Sequence, residues 1–534
     1  MYQIKNEKYT NICQVMEARE GIDQILHPNT MPHLDNLEES VSYLVKNKDN
    51  IITIVGDYDV DGVMATGIMK RGLALCGLNA NTRIPRRFSE GYGISEKIID
   101  EIPEGLILTV DNGIAAHDVI GKAKERGLHV IVTDHHLPPK DKDEKVILPP
   151  ADAVFDPWVN DKSEYQNYCG AGLAYRFILE LVKQMKVKPY PEKELNELKT
   201  IAAIATVADV MPLVGANHAL VKEGLDLLRH NVTVPGIRVL CVKMDIDMTH
   251  ITEDDFGFKI GPAINAPGRL YDDGASQALD IILAPPEDYT LVIKVNKMIQ
   301  DNDMRKDMVR GALSKLSNIK QFPIVVFDPS WGEGIIGLIA GQLCERYYCP
   351  VIAFTRMHNG HLKGSGRSIP EIHLKNVLDS MQDIICKYGG HAEAAGLEIE
   401  EKDLQTFRQR FHDACGEIPK KEIVKYDVSI TGKVNLNSLL KELNSYAPYG
   451  NGNEKPVFRL PYNAKDVRQS KDGASLIIKG KMLDLLGFGQ WEKYNSLGRP
   501  LELEVIGHLS ENWFRGKSQP TLEIIDLCQR QKRN

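Results

Sequence analysis

The sequence lacks several features that would assign it to a special class of protein. No apolar run reaches the roughly 18 residues that a membrane-spanning helix needs, and the N-terminus has no basic start followed by an apolar core, so we expect neither a membrane span nor a secretion signal. The nine cysteines are scattered without C-x-x-C pairs, which argues against a disulfide framework or a zinc site. These absences predict a cytoplasmic protein with reduced thiols.

A strong charge of one sign is also missing, since the net charge is −8 over 534 residues. Its distribution is uneven, because residues 424–534 carry 17 Lys and Arg against 12 Asp and Glu, or +5, which leaves −13 on the rest. A basic C-terminal module on an acidic body is typical of a protein that binds a polyanion in one place and metal in another. Ordinary scatter over this length would explain the same excess.

Three aspartates at alternate positions follow the first strongly apolar run. The run Ile51–Val55 is continuous and mostly β-branched, as in a buried strand of a parallel sheet. If the chain stays extended beyond it, Asp57, Asp59 and Asp61 project to one side. Three such carboxylates repel one another, and a hard cation such as Mg²⁺ or Mn²⁺ would relieve the repulsion. The alternative is an acidic surface turn.

The pattern of strand, acidic turn and helix recurs twice. The apolar run Leu106–Val110 ends in Asp111, and His129–Thr133 ends in the triplet Asp134–His136. Alternating strands and helices predict a parallel sheet, whose ligands gather at the carboxyl ends of the strands. We therefore expect these acids and histidines to converge on a site for Mn²⁺ or Mg²⁺, although a His-His pair is more often packed or solvent-facing.

A further acid lies near the end of an apolar helical run. Residues 201–213 carry a single carboxylate, Asp209. An unpaired acid in apolar surroundings is unfavourable unless it meets a cation. We expect Asp209 to join the same site; the alternative is a helix-end residue in water.

These motifs occur in the order found in the DHH phosphoesterase superfamily. GDYDVDG, TVDNG, VTDHH and ATVADVMPL begin at residues 56, 109, 132 and 205, and the first resembles the RecJ-type branch of single-strand-specific exonucleases. PRRFSEGYG, CGAGLAYRF, INAPGR, GSGRS, GGHAEAAG and APYGNGNEKPVF resemble further elements of that branch. The resemblance therefore covers nearly everything from about residue 51 to residue 527.

The resemblance implies an α/β fold with two parallel-sheet domains, the DHH and DHH-associated domains, joined by a long helix and followed by a C-terminal β-barrel of the oligonucleotide-binding (OB) type. The implied boundaries are 1–285 for the N-terminal segment and DHH catalytic domain, 286–321 for the helix, 322–423 for the DHH-associated substrate-binding domain and 424–534 for the OB domain. Alternating strand patterns after residue 424 agree with a small barrel. Its candidates for base stacking, or equally for the core, are Trp491, Tyr494, Trp513 and Phe514.

The resemblance also implies a metal centre of two Mn²⁺ or Mg²⁺ ions. Asp111 would bridge the ions, and His136 would face the phosphate. One ion would be held by Asp61, His135 and Asp209, and the other by Asp57 and Asp59. The implied catalytic residues are Asp111, His135 and His136.

A second implied set binds the phosphates of the strand, including its terminal phosphate: Arg87, Arg269, Arg367, Ser368 and His391. The segment Gly364–Ser368 is expected to be a loop that offers N–H groups, a hydroxyl and a guanidinium, although a Gly-Ser turn is more often only a turn. The sequence departs from the family at Gly332, where His is usual, and at His218 and Ala263, where Arg is usual. These departures remove phosphate contacts, whereas every implied metal ligand is present.

The implied function is a metal-dependent exonuclease that hydrolyses single-stranded DNA from the 5′ end to mononucleotides in DNA repair and recombination. The implied state is a cytoplasmic monomer without membrane contact, with a single-strand-binding protein or a helicase as partner. Two alternatives stay open: a small-substrate DHH phosphodiesterase acting on oligoribonucleotides or cyclic dinucleotides, and a non-catalytic replication scaffold. The implied OB barrel argues against the first, and the full ligand set argues against the second.

Overall fold

The computed structural model describes residues 2–19, 21–316, 319–419, 424–432, 434–471, 473–514 and 517–530, with the side chain of Phe514 outside the description. Among these residues no helix has the length and apolar character needed to cross a membrane. The chain begins with a short strand and three helices, which are β1 (Gln3–Ile4), α1 (Ile12–Glu17), α2 (Ile22–Leu26) and α3 (Leu37–Lys46).

A five-stranded parallel sheet organises the next part of the chain, as the buried β-branched runs predicted. Its strand order is β3-β2-β4-β5-β6, and every neighbouring pair is parallel. Its elements are β2 (Ile52–Val55), α4 (Val60–Leu75), β3 (Ala80–Arg83), α5 (Glu96–Asp100), β4 (Leu106–Val110), α6 (His117–Glu125), β5 (His129–Thr133) and β6 (Ala153–Phe155).

Helices cover this sheet and complete one large apolar core. A 3₁₀ turn (Met248–His250) and a π-helical turn (Phe256–Ile260) interrupt the series. The helices are α7 (Gly170–Gln184), α8 (Glu192–Ala208), α9 (Gly215–Arg229), α10 (Pro235–Lys243), α11 (Glu253–Asp255), α12 (Gly261–Leu270) and α13 (Gly274–Leu283).

A long helix, α14 (Leu291–Ser314), joins this core to the next one. Val295 and Met298 on its first half are buried in the first core. Val309 and Ala312 on its second half are buried in a separate core around the second sheet. The helix therefore connects two α/β bodies, as the family resemblance implied.

The second sheet is mixed rather than parallel throughout. Its order is β10-β11-β9-β8-β7. Strands β7 and β8 are parallel, while the other three neighbouring pairs are antiparallel. Its elements are β7 (Ile324–Phe327), α15 (Ile336–Tyr347), β8 (Val351–Arg356), β9 (Leu362–Arg367), α16 (Leu374–Asp379), β10 (Lys387–Gly390), β11 (Ala394–Ile399), a 3₁₀ turn (Glu401–Asp403) and α17 (Leu404–Cys415).

The Gly-Ser-Gly-Arg segment lies inside strand β9, so the prediction of a loop there was wrong. Its backbone pairs with β8 on one side and β11 on the other. A Cβ at Gly364 would lie 2.5 Å from the ring of Phe354, and one at Gly366 would lie 2.7 Å from Ile352. The glycines thus make room for large core side chains rather than forming a turn.

A seven-stranded sheet, in the order β13-β14-β18-β19-β17-β16-β15, forms the C-terminal part. The N-terminus belongs to this part structurally, because β1 pairs with β12 and Ile12, Val15 and Met16 of α1 lie in its core. Its elements are β12 (Lys425–Tyr426), β13 (Val428–Ser429), α18 (Leu436–Ser445), β14 (Val457–Asn463), β15 (Asp466–Gln469), β16 (Leu476–Lys479), β17 (Asp484–Gly487), α19 (Trp491–Ser496), β18 (Glu502–Phe514) and β19 (Lys517–Gln529).

Candidate metal centre and phosphate-binding cluster

The acids and histidines that follow β2, β4 and β5 converge with Asp209 at one edge of the parallel sheet. They form three groups whose possible ligand atoms lie within 4.8 Å of one another. The groups are Asp57, Asp59 and Asp111; Asp61, His135 and Asp209; and Asp111, His135 and His136. Asp111 and His135 each belong to two groups, so together they connect Asp57 and Asp59 with Asp61 and Asp209. We call Asp57, Asp59, Asp61, Asp111, His135 and Asp209 the ligand cluster.

Asp57, Asp59 and Asp61 were predicted to lie on one extended segment. This prediction was wrong, because helix α4 begins at Val60. Asp59 caps this helix, and its Oδ1 accepts hydrogen bonds from the N–H groups of Asp61 (3.0 Å) and Gly62 (3.1 Å). Asp61 therefore lies in the first helical turn, beyond the end of the strand. Asp57 and Asp59 nevertheless form a group with Asp111, and Asp61 reaches His135 and Asp209 from the first turn of the helix.

A second helix start holds the carboxylate of Asp61. Its Oδ2 accepts a hydrogen bond from Gly170 N (2.6 Å), and its Oδ1 accepts one from Ala171 N (2.8 Å), both at the N-terminus of α7. Unpaired N–H groups and the helix dipole favour an anion at this position. The motif that begins at Cys169 therefore positions a ligand that lies more than a hundred residues earlier in the chain.

Asp111 adopts a conformation that few residues tolerate. Its φ is +62°, in the left-handed region where Asp and Asn are the least unfavourable residues after Gly. Its carbonyl accepts a hydrogen bond from the Tyr92 hydroxyl (2.9 Å). Gly170 packs so closely that a Cβ there would lie 2.5 Å from Asp111 Cβ. The side chain is therefore held at the meeting point of β4, α7 and the loop that carries Tyr92.

The electrostatics of the cluster fit a cation. Burial together with the neighbouring carboxylates raises the pKa values of Asp57, Asp59 and Asp111, and raises that of Asp209 to about 9. Asp57 Oδ2 and Asp111 Oδ1 are buried without a hydrogen-bond partner, although His135 Nε2 lies 3.0 Å from the latter. Buried carboxylates in this state need a compensating positive charge. Their oxygen atoms with one imidazole form a donor set that suits Mn²⁺ or Mg²⁺.

The two histidines have opposite electrostatic environments. Burial lowers the pKa of His135, which favours the neutral imidazole that a metal requires. Burial also acts on His136, but the hydrogen bond from its Nδ1 to Asp134 Oδ1 (2.7 Å) and the charge of Asp134 outweigh it and raise the pKa of His136 to about 9. His136 is therefore suited to face an anion.

Asp134→Asn should lower the pKa of His136, because burial would then be opposed only by the more distant charges of Asp209 and Asp61. In the wild-type protein we expect His136 to stay protonated at neutral pH and to lose its proton as the pH rises through about 9. NMR titration of the imidazole signals in metal-free protein measures both values. Equal pKa values in the two proteins would mean that Asp134 does not control this ring.

Three arginines from separate parts of the chain, Arg87, Arg305 and Arg367, lie near the partly buried guanidinium of Arg269. Burial and neighbouring positive charges lower the pKa of Arg269 to about 10, and the charge of Asp59 acts on it in the opposite direction. Arg269 Nη1 donates to Gly334 O (3.3 Å), so the group lies where the two α/β bodies meet. We call Arg87, Arg269, Arg305 and Arg367 the arginine cluster. Like charges gathered beside the ligand cluster are suited to bind phosphate.

Arg305 is absent from the set of phosphate-binding candidates that the family resemblance implied. It lies on α14, and its Nε and Nη2 donate to the Oδ1 of the buried Asn302 (3.2 and 2.9 Å). Tyr58 was also missed, although Arg87 stacks over its ring at 4.5 Å. The only sequence signal for Arg305 was its position, with Asn302, on the long helix.

Two of the expected phosphate-binding residues do not join the arginine cluster. The Ser368 side chain is 8% exposed, and its hydroxyl donates to Ile372 O (2.7 Å), so the hydroxyl proton is already used within the fold. His391 is exposed, in the turn between β10 and β11. Arg367 does belong to the arginine cluster. It contributes through its side chain, because its backbone is paired with the neighbouring strands of β9.

The family departures lie in different environments. His218 is buried, and its Nε2 lies 3.3 Å from Tyr446 O, so it packs against the end of α18 in the OB domain. Ala263 is fully buried in α12. Gly332 follows Trp331, whose buried Nε1 has no hydrogen-bond partner among the described residues.

The candidate stacking aromatics also differ from one another. Tyr494 is buried and Trp491 packs partly against the same core, so these two support the fold. Trp513 stacks on His250 at 3.7 Å, at the contact with the DHH part. The side chain of Phe514 lies outside the described residues.

Comparison with known proteins gives a consistent result along the chain. The DHH family N-terminal domain matches residues 51–206, the DHHA1 domain matches residues 324–417 and the RecJ OB domain matches residues 426–526. The crystal structures of RecJ from Thermus thermophilus in complex with Mn²⁺ and with Mg²⁺ have TM-scores of 0.79 and 0.74 at 29% and 27% identity. These similarities cover 95% and 97% of this chain and 74% of each T. thermophilus chain.

The single-stranded-DNA-specific exonuclease RecJ of Salmonella typhimurium (strain LT2) is 31% identical to this chain, over 96% of this chain and 93% of that relative. The three domain matches follow the same order as the sheets of the structure. The chain therefore belongs to the RecJ family of DHH proteins.

Proposed function

We propose that this protein is a metal-dependent exonuclease that hydrolyses single-stranded DNA to mononucleotides, in DNA repair and recombination. The observation that carries the proposal is the ligand cluster, in which buried carboxylate oxygens lack hydrogen-bond partners beside a cluster of arginines. Membership of the RecJ family supports the single-stranded DNA substrate. The C-terminal OB domain supports it too, since folds of this type bind oligonucleotides.

We propose that two Mn²⁺ or Mg²⁺ ions occupy the ligand cluster, with Asp111 bridging them. One ion is held by Asp61, His135 and Asp209, and the other by Asp57 and Asp59. When bound, the ions activate water and offset the charge that develops on the attacking and leaving oxygens of a phosphodiester. RecJ structures from T. thermophilus that contain Mn²⁺ and Mg²⁺ support this choice of metals.

The chain's own residues then hold the strand. Protonated His136 donates a hydrogen bond to a phosphate oxygen next to the ligand cluster, with its ring oriented by Asp134. The arginine cluster binds the terminal phosphate, because guanidinium groups can pair with phosphate oxygens in two places at once. Tyr92 lies beside His136, with ring centroids 5.7 Å apart, and is half exposed, so it offers a face to the terminal nucleotide.

The OB domain supplies a second binding surface that a mononucleotide or dinucleotide substrate would not need. This argues against a small-substrate phosphodiesterase. The presence of all six members of the ligand cluster argues against a non-catalytic scaffold. Both rivals therefore rank below the exonuclease.

A substrate panel tests the proposed function. The purified protein is incubated with end-labelled single-stranded DNA, duplex DNA and RNA, with Mn²⁺ or Mg²⁺ and with chelator. We expect mononucleotides from single-stranded DNA with metal, and no release with chelator. Internal cutting, preference for duplex, or activity in chelator would each contradict the proposal.

We propose that cleavage proceeds from the 5′ end, as the family resemblance implies, and that the arginine cluster reads the 5′ phosphate. Arg367→Ala should then slow turnover about tenfold more on 5′-phosphorylated than on 5′-hydroxyl strands, since a lost charged hydrogen bond costs about 1.5–3 kcal/mol. Single-turnover rates on the two substrates measure this ratio. Lys363→Ala, on the same strand but ion-paired with Glu333, is the matched control. Equal losses on both substrates would make Arg367 a general backbone contact.

We further propose that the protein acts as a cytoplasmic monomer, with a single-strand-binding protein or a helicase as partner. All nine cysteines are free thiols, which supports a reducing compartment. Analytical ultracentrifugation tests the monomer, and a change in cleavage rate when a single-strand-binding protein or a helicase is added to the strand tests the partner.

A further inference from the structure

The segment Ala447–Asn453, which joins α18 to β14 within the OB domain, has no role in the proposed mechanism. It nevertheless packs against the helical part of the DHH domain. Tyr449 N donates to Glu253 Oε1 (3.0 Å), and Asn453 Nδ2 closes the segment on itself through Pro448 O (2.9 Å). The segment is therefore a fixed contact between the OB and DHH domains.

Within this segment, Asn451 holds both ends of the short stretch that follows the metal ligand Asp209. Asn451 Nδ2 donates to Val210 O (3.0 Å), and Asn451 O accepts a hydrogen bond from Leu213 N (2.7 Å). Gly450 allows this close approach, because a Cβ there would lie 2.8 Å from Leu213 Cδ1. The side-chain amide and the backbone carbonyl thus act together as a clamp.

The clamped stretch contains a strained residue. Helix α8 ends at Ala208, and Val210 then adopts φ +56°, in the left-handed region that disfavours β-branched residues. The Val210 side chain is 68% exposed, so packing does not compensate for this conformation. A strained residue persists when its surroundings determine its conformation. Here the last hydrogen bonds of α8, from Val210 N to Val207 O (3.1 Å) and from Met211 N to Thr206 O (3.1 Å), provide part of that constraint. The bond from Asn451 to Val210 O adds to it from outside the helix.

Asp209 depends on this backbone more than Asp57, Asp59 and Asp61 do. The carboxylates of Asp57, Asp59 and Asp61 each accept a hydrogen bond from at least one backbone N–H group. Among the residues that the structure describes, no such bond holds the Asp209 carboxylate, whose Oδ2 lies 3.9 Å from His135 Nε2. The direction of the chain after the end of α8 therefore decides where this carboxylate lies.

We propose that Asn451 is a positioning residue for the metal ligand Asp209. By bonding to Val210 O, it helps to hold the left-handed conformation that ends α8, and with it the Asp209 carboxylate. The inference rests on the proposed metal site and adds a link to it: a segment of the OB domain supports a ligand of the metal centre. A substitution in this segment of the OB domain is then expected to change the affinity for the metal.

Asn451→Ala tests this link, and the exposed position of the side chain lets the variant fold. The full chain is titrated with Mn²⁺, and binding is followed through the electron paramagnetic resonance signal of free Mn²⁺. The binding step of interest is the one that the wild type shows and Asp209→Ala lacks. We expect Asn451→Ala to raise the dissociation constant of that step about three- to tenfold, the effect of one lost hydrogen bond. At saturating Mn²⁺, kcat should stay near the wild-type value.

Two further variants separate positioning from general damage. Lys455→Met breaks another contact between the OB and DHH parts, the ion pair with Asp254, and should leave the Mn²⁺ step unchanged. Adding Val210→Asn to Asn451→Ala should restore affinity, because Asn tolerates the left-handed conformation. An unchanged constant in Asn451→Ala, or an equal loss in Lys455→Met, would overturn the inference. A wild-type titration without any step sensitive to Asp209→Ala would overturn the metal site itself, and this inference with it.

Discussion

Asp111→Asn should reduce strand hydrolysis about a thousandfold or more while leaving strand binding nearly intact. Asp111 shares one group of possible ligands with Asp57 and Asp59 and another with His135. The proposed bridging role sets the size of the effect, because losing a bridging carboxylate removes several kcal/mol of transition-state stabilisation, where about 4 kcal/mol corresponds to a thousandfold. Asparagine is preferred to alanine because it keeps the shape of the side chain and tolerates the φ of +62°. Single-turnover cleavage with Mn²⁺, and binding of a labelled strand without metal, measure the two effects.

The same substitution should not destabilise the metal-free protein. Burial and neighbouring carboxylates raise the pKa of Asp111, so its charge is unfavourable when no cation is present. The thermal midpoint of the variant in chelator should therefore equal or exceed that of the wild type. Asp156→Asn is the matched control, because this acid is also buried, with its pKa raised to about 8, but lies outside the ligand cluster. Activity of Asp111→Asn within tenfold of wild type would contradict a bridging role.

The convergence of the acids could be predicted because it depends on topology. Buried β-branched runs at residues 52–55, 106–110 and 129–133 identify parallel strands, and parallel strands bring their carboxyl ends to one edge. The position of Asp61 was harder to predict, because it depends on which residue caps α4. The cap is Asp59, and its side-chain bonds to two N–H groups start the helix earlier than an extended chain would allow.

The Gly364–Ser368 segment shows where a local rule gave the wrong answer. Gly and Ser are typical of turns, but the alternate glycines of β9 face the core and leave room for Phe354 and Ile352. The identity of these neighbours is a property of the packed sheet, which the segment alone does not contain. The arginine cluster could not be predicted for the same reason, since its members come from four segments that are far apart in the chain.

Gly170 carries no functional group, and yet two ligands depend on it. Its N–H group donates to Asp61 Oδ2 (2.6 Å). A Cβ at this position would lie 2.5 Å from Cβ and 2.9 Å from Cγ of Asp111. Real Cβ atoms do not approach other atoms this closely. The position of Asp111 is also restrained, because its carbonyl accepts a hydrogen bond from Tyr92 and its backbone is in the left-handed conformation. A methyl group at position 170 must therefore displace Asp111, the N-terminus of α7, or both.

Gly170→Ala should consequently reduce hydrolysis about a hundredfold or more, since displacing a reacting group by about 1 Å costs that much, and it should weaken Mn²⁺ binding in parallel. Alanine has the higher helix propensity, by about 1 kcal/mol, so a loss cannot come from a weaker helix. Gly172→Ala makes the matched comparison, because the three atoms nearest to its Cβ would all belong to Tyr168, the first of them at 3.0 Å. We expect that control to keep activity within a few-fold of wild type. Equal activity in the two variants, measured with Mn²⁺ titrations beside cleavage rates, would show that the ligand cluster tolerates movement of Asp111.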